Sequence, residues 1–498
     1  MNTKLWSVLF VVCSWLSANL ALAHNESSCS GVSVKGFTET PPMYLHESPS
    51  LRVLGKRWST SNELKTYFDQ QKKLLQVIQE QAAPGEPENV LKLASVGDVM
   101  RLSYSQPDFV DEILKEYFDS VDVLTGNLET LISPKYPVPP DSLFQMNSDP
   151  SLLTAFRNSE NHNYFSVMST ANNHTFDYPD DAILDTLAAL KEEGIWQSGI
   201  RTSKQQKPYL VFETKGIRIG YYAITTFVNS KETFKKSKLH LNPMVEGIEP
   251  IPFAAWKEGC EIDLSDTQRV LKQMKQDGAD ISIISIHWGE EHDMYPQPVQ
   301  LDIAHQLVQQ GADVIVGAHS HVPQPAEICF VNGYEDRLDG ALADQQKAEG
   351  CVLRTSDGKP RKAMIYYSLG NFTSYSPFFW QQLGTIGELS LVKQETDAGA
   401  VVDWFAPNFV FTYDHVDNPP HGKRHLNLLN NYIVRGCNST RCPETTKILV
   451  GSLKRHLYGE SLNIWEEFRV TALTTYVALK EIIYWQLFSS EASGSSDG

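Results

Sequence analysis

The feature that most constrains this chain is a repeated unit between about residues 91 and 395, in which a short apolar run passes directly into a polar cluster. The runs are Leu91–Val96, Val121–Thr125, Phe165–Ser169, Ile281–Ile286, Val314–Val316 and Ala363–Tyr367. Helical patterns separate them, which is how a sheet with covering helices reads in sequence. A helix carrying Ile183, Leu184, Leu187 and Leu190 stops at Gly194. Others, with Val270, Leu271 and Met274 and with Leu301, Ala304 and Leu307, stop at Gly278 and Gly311. The expected class is α/β, a sandwich of sheet and helix.

The polar clusters are Gly97-Asp98-Val99-Met100, Gly126-Asn127-Leu128-Glu129, Ala171-Asn172-Asn173-His174, His287-Trp288-Gly289-Glu290, Gly317-Ala318-His319-Ser320-His321 and Ser368-Leu369-Gly370-Asn371. In open α/β sheets the carboxyl ends of the strands form the ligand site, so loops this far apart in sequence can converge. Carboxylates, a carboxamide and imidazoles brought together there suit a borderline transition metal far better than a dry core. On an extended segment His319 and His321 would point to one side, and adjacent Asn173 and His174 would diverge. Glu290 and Glu291 read equally well as neighbours of the ligands or as solvated carboxylates, and Asn371 as a substrate contact or a turn residue after Gly370. His162, His292, His305 and His425 read as surface or satisfied histidines.

Taken in order, these words, with Phe176-Asp177-Tyr178, Gly311-Ala312-Asp313 and Tyr367-Ser368-Leu369-Gly370-Asn371-Phe372, resemble the motif series of the CapA (PgsA) poly-γ-glutamate capsule-synthesis family. The resemblance covers roughly residues 91–395. It implies a calcineurin-like metallophosphoesterase fold with one or two divalent ions, Mn, Fe or Zn. Superfamily roles carried across put Asp98 and His321 on one metal and Asn173, His287 and His319 on the other. Glu129 would bridge, with Asn127 competing for that place, and His174 would act as the acid beside the substrate. Met100 stands where a histidine ligand is usual, Asn127 where Asp is common, and Pro179 where Gly is expected. The implied function is capsule biosynthesis through a metal-dependent hydrolase or transferase site. Its substrate would be an anionic polymer or a phosphoester, and capsule synthase components would be its partners. The alternatives are a noncatalytic polymer assembly or export factor and a secreted phosphoesterase unrelated to capsule.

Lys4, the apolar stretch from Leu5 to Leu22 and Ala21-Leu22-Ala23 have the layout of a signal peptide over residues 1–23, which predicts a periplasmic or secreted product. No later stretch is long enough to suggest a transmembrane segment. Residues 24–90 read as a helical lead-in, with a capping box at Thr60-Ser61-Asn62-Glu63, and 396–498 as an extension with a disordered tail. Loss of the leader leaves Cys29, Cys260, Cys329, Cys351, Cys437 and Cys442, from which Cys329–Cys351 and Cys437–Cys442 are the expected disulfides. A formal net charge of -17 argues against nucleic-acid binding, although a metal can supply local positive charge for an anionic substrate.

Overall fold

Each apolar run becomes a strand, and most continue beyond their apolar part into the polar cluster. The computed structural model describes residues 62–79, 87–102, 108–136, 145–242, 263–338, 351–374, 379–396, 399–416 and 424–428. The expected signal peptide, Cys29, Cys260, the Cys437–Cys442 pair and the tail lie outside them. The principal strands are β1 (Leu91–Met100), β2 (Val123–Glu129), β3 (Phe165–Ser169), β4 (Trp196–Ser198), β5 (Tyr209–Thr214), β6 (Ile217–Thr225), β7 (Ile281–His287) and β8 (Val314–Ala318). They continue with β9 (Ala326–Val331), β10 (Cys351–Leu353), β11 (Arg361–Tyr366), β12 (Asn371–Thr373), β13 (Leu383–Thr396), β14 (Gly399–Val416) and β15 (Arg424–Leu428). The main helices are α1 (Asn62–Gln79), α2 (Glu112–Phe118), α3 (Asp180–Glu192), α4 (Ser265–Gln276) and α5 (Pro298–Gln309).

The strands form an eight-stranded sheet ordered β15-β14-β13-β1-β2-β3-β4, with β12 also on β1, and a seven-stranded sheet ordered β10-β9-β11-β8-β7-β6-β5. Strands β1, β2 and β3 run parallel in the first sheet, as do β6, β7, β8 and β11 in the second. The sheets pack on each other with helices outside, because the strands are apolar on both faces. On β7, Ile281 and Ile283 join Leu93, Val167 and Leu391 of the other sheet, while Ile284 and Ile286 meet Val270 and Met274 of α4 and Leu307 of α5. Burying each such side chain contributes about 1.5–3 kcal/mol. His287 continues the inward-facing alternation of Ile281 and Ile283, which places its ring where the two sheets meet.

Helices α3, α4 and α5 end before Gly194, Gly278 and Gly311, whose φ values of 72°, 91° and 114° are left-handed helix stops. The lead-in helix α1 lies against β9, burying Leu64 and Phe68 in the outer core and Leu74, Leu75 and Ile78 in the inter-sheet core. Past residue 395, β14 and β15 pair onward from β13 and extend the sheet that holds β1. The alternation of strands with helices stops there because these strands are antiparallel neighbours that need no crossover helix. The expected Cys329–Cys351 disulfide is present and joins paired positions of β9 and β10. No helix among the described residues is long and apolar enough to cross a membrane.

Two of the glycine-led words are explained by packing. A Cβ on Gly97 would fall 1.9 Å from the Gly370 carbonyl oxygen, and one on Gly317 would fall 2.0 Å from that of Tyr367. The same Gly370 oxygen accepts a hydrogen bond from the Asp98 amide at 2.9 Å, so the bare Cα of Gly97 sets where Asp98 sits. Gly97→Ala is therefore expected to lower the unfolding free energy by about 1–3 kcal/mol in urea titration. Gly216→Ala, where φ is 72° and nothing lies within 4 Å, should cost only about 1 kcal/mol.

Candidate metal centre

Asp98, Asn127 and Glu129 lie in the strand ends themselves rather than in loops after them. Register sets Asp98 opposite both Asn127 and Asn371, and Met100 opposite Glu129, after an irregularity in β1 between Ser95 and Asp98. Asn173 and His174 occupy the turn after β3, His287 ends β7, and His319 and His321 follow β8. The first sheet thus supplies the carboxylates and Asn173, the second supplies the three other imidazoles, and they meet at one rim of the sandwich.

Two geometric expectations need correction. His319 and His321 do not alternate on an extended segment: their φ values are 98° and 58°, left-handed for residues with a Cβ. Their rings converge, with centroids 5.7 Å apart, because the backbone is folded back. Asn173 and His174 likewise sit in a turn, so extended divergence does not describe them. Strained backbone of this kind persists only where its surroundings hold it. Here the His319 amide donates to Asp98 Oδ2 at 3.0 Å.

Of the three overlapping donor groups at this rim, two share a carboxylate, Asp98 with Glu129 and His321, and Glu129 with His287 and His319, each within 4.8 Å. Glu129 belongs to both. His287 Nε2 lies 3.4 Å from Glu129 Oε1, and His321 Nδ1 lies 3.4 Å from Asp98 Oδ2 and 3.7 Å from Glu129 Oε2. All five side chains are buried. Both oxygens of Glu129, Asn173 Oδ1, His287 Nε2 and His319 Nδ1 are buried without a hydrogen-bond partner. Leaving such atoms unpaired costs several kcal/mol unless something else meets them, and a divalent cation accepts this mixed N/O set.

The electrostatics agree for Glu129, His287 and His319 and run the other way at His321. Burial, and then the Asp98 carboxylate, push Glu129 well above the usual carboxylate range. Burial and the neighbouring imidazoles hold His287 well below the ordinary histidine value, and burial takes His319 down to about 3. Both rings are therefore neutral, the form that binds metal. Burial also opposes charge on His321, but Glu129 and Asp98 outweigh it and raise it to about 10.

Around these groups sit the side chains that hold them. Asn127 Nδ2 donates to Asp98 Oδ1 at 2.8 Å and lies 3.1 Å from His287 Nδ1. Asn371 Oδ1 lies 2.9 Å from His321 Nδ1 while its Nδ2 donates to the Gln381 carbonyl, so it orients a ring. Glu291, not Glu290, lies with His319 and His321, and Glu290 sits half-buried one residue earlier. His292, read from sequence as surface or satisfied, has φ 68° and its Nδ1 lies 2.8 Å from Gln381 Nε2, with its ring 6.1 Å from that of His321. Sequence reasoning missed Asp177, whose Oδ2 lies 2.6 Å from His174 Nδ1 while accepting the Met146 amide. Its place three residues after His174 was the available signal.

The family description "Bacterial capsule synthesis protein PGA_cap" matches residues 72–376. The chain is 26% identical over 296 residues to the capsule biosynthesis protein CapA of Bacillus anthracis, covering 57% of this chain and 59% of that protein. It is 25% identical over 251 residues to the PGA biosynthesis protein CapA of Bacillus subtilis, covering 48% of this chain and 60% of that one. A probable polyglutamine synthesis accessory protein of Mycobacterium tuberculosis is 25% identical over 167 residues, or 32% of this chain and 41% of its own. The chain thus spans less than two thirds of the length of these relatives. Among solved structures, a phosphatase of Mycoplasma pneumoniae superposes with a TM-score of 0.32 at 12% identity, over 64% of this chain and 95% of that one. The sulfate thiohydrolase SoxB of Thermus thermophilus gives 0.27 at 11%, over 65% and 58%. Superpositions at these scores carry no argument about the site.

A divalent cation at about 100 times its Kd should stabilise the protein by about 2.7 kcal/mol, read as a rise in Tm. Glu129→Gln is expected to abolish most of that rise, because Glu129 belongs to both donor groups, whereas His174→Gln should leave it in place. Since Glu129 takes up a proton above the usual carboxylate range, binding should weaken as the pH falls.

Proposed function

Because the chain belongs to the PGA_cap family of bacterial capsule synthesis proteins, we propose that it serves capsule-polymer biosynthesis outside the cytoplasm as a metal-dependent hydrolase or transferase. Its substrate on this reading is an anionic polymer of the poly-γ-glutamate class, cleaved or transferred at a phosphoester or γ-glutamyl amide. The observation that carries the catalytic part is the set of buried, unpaired donor atoms on Glu129, Asn173, His287 and His319 beside a buried His174–Asp177 pair. A merely structural rim would have satisfied those atoms with hydrogen bonds.

Asp98 and His321 would hold one cation, Asn173, His287 and His319 a second, with Glu129 between them. When bound, a divalent cation supplies Lewis acidity toward a phosphoryl or carbonyl oxygen. The protein's own part is to orient and to move a proton. His174 Nε2 lies 4.0 Å from Glu129 Oε1, facing the donor groups, and is the nitrogen that delivers a proton to a leaving oxygen or nitrogen. Asp177 fixes the ring through Nδ1 and stabilises its charged form, as a carboxylate behind a catalytic histidine does. Asn127 and Asn371 hold the ligands in register.

His174→Ala is expected to lower kcat toward a phosphodiester or poly-γ-glutamate substrate by about 10²–10⁴ with metal content unchanged. Asp177→Asn should lower kcat without changing metal content. A metal-loaded wild type inactive on both substrate types, with His319→Ala still supporting polymer production in cells, would favour a noncatalytic assembly factor. Phosphoester hydrolysis whose loss leaves capsule polymer intact would remove the capsule assignment and keep the chemistry.

A further inference from the structure

On the outer face of the second sheet, beneath α1, a second group of ligand-type side chains converges. His305 of α5, Glu327 and Cys329 of β9 and Cys351 of β10 bring their donor atoms within 4.8 Å of one another. Glu327 and Cys329 are fully buried and Cys351 nearly so. His305 Nε2 lies 2.8 Å from Glu327 Oε1, and Cys329 Sγ lies 3.6 Å from the same oxygen. The hydroxyls of Tyr67 and Tyr367 both donate to Glu327, which fixes its direction.

With the disulfide formed, the sulfurs carry no charge and a cation would meet one carboxylate and one imidazole. Reduction changes the donor set at positions that strand pairing also holds together. Cys329 and Cys351 are opposed in a parallel strand pair with Cα atoms 4.5 Å apart, a register shared between backbone pairing and the bridge. Two thiolates, an imidazole and a carboxylate are the tetrahedral donor set of zinc. We propose that Cys329, Cys351, His305 and Glu327 form a thiol-gated site for a soft divalent transition cation of the zinc class, closed by the disulfide and opened by a dithiol reductant.

The chemistry balances. A thiolate of the dithiol attacks one sulfur of the bridge and releases the other cysteine; the reductant's second thiol then attacks its own sulfur in the mixed disulfide and releases the remaining cysteine, so the reductant leaves as a cyclic disulfide and its two protons pass to Cys329 and Cys351. Cation binding then releases those two protons, and His305 must bind as neutral imidazole, giving up any proton it shares with Glu327. Glu327 used as a ligand has less acceptor capacity left for Tyr67, so opening the site would loosen one of the hydrogen bonds between α1 and β9 and leave the one from the Ile328 amide to Gln71.

The test uses the full chain, reduced with dithiothreitol, freed of it without oxygen and titrated with cobalt(II). The reduced protein should develop a thiolate-to-cobalt charge-transfer band that zinc abolishes, and the oxidised protein should not. The N/O donors at the rim cannot produce such a band, so this readout is independent of the proposed function. Cys351→Ser should remove the band, and His305→Ala, which keeps both sulfurs, should weaken cobalt binding at least about tenfold, the scale of losing even a supporting partner. The proposal is overturned if the reduced, folded protein shows no band, or a band that Cys351→Ser leaves unchanged. It is equally overturned if His305→Ala and Glu327→Gln both bind cobalt as tightly as wild type, or if reduction unfolds the chain even with cobalt present.

Discussion

A carboxylate with both oxygens buried and no hydrogen-bond partner is the constraint around which the rim of this protein is arranged. Taking an ionised group out of water costs several kcal/mol, and the cost is met only by a proton or by positive charge brought close. Glu129 is in that position, and Asp98 beside it makes ionisation harder still. A protein that keeps such a group keeps it for what fills the gap. The imidazoles of His287 and His319, held neutral by the same burial, present lone pairs to the same space.

The fold supplies that arrangement through strands that are apolar on both faces. Inside the sandwich, side chains such as Ile281, Ile283, Val314 and Val316 form an apolar layer. Polar groups collect where the parallel strands end. Close backbone contacts fix the segment that leads from β11 in one sheet to β12 in the other: Gly97 against the Gly370 carbonyl, Gly317 against that of Tyr367, and the Trp288 indole donating to the Tyr367 carbonyl at 3.0 Å. The residues that determine the site's geometry are thus in part residues that touch nothing chemical.

Much of this was legible in the residues. The run Phe165–Ser169 is a strand with those bounds, and the glycine stops after α3, α4 and α5 sit where the apolar periodicity ends. The convergence of the polar words was readable because strand ends in an α/β sheet share an edge. What was not readable depended on backbone that periodicity does not encode. The left-handed turns at His319 and His321 have no glycine to announce them, and Asp177 reaches His174 across a turn rather than along a helix face. The irregularity after Ser95 in β1 re-aims Asp98. Beyond 395, antiparallel neighbours carry no crossover helix, so the sheet continues where the pattern stops.

The donors come from positions as far apart as Asp98 and His321 and from both sheets. No contiguous piece of the chain short of that span contains the whole centre, and one sheet alone presents only part of its donors. On the proposed reading, ion retention would report on assembly of the entire sandwich, because a half-paired or slipped conformer keeps only part of the donor set. Fractionating a preparation by metal content would sort its molecules by whether their sheets have closed.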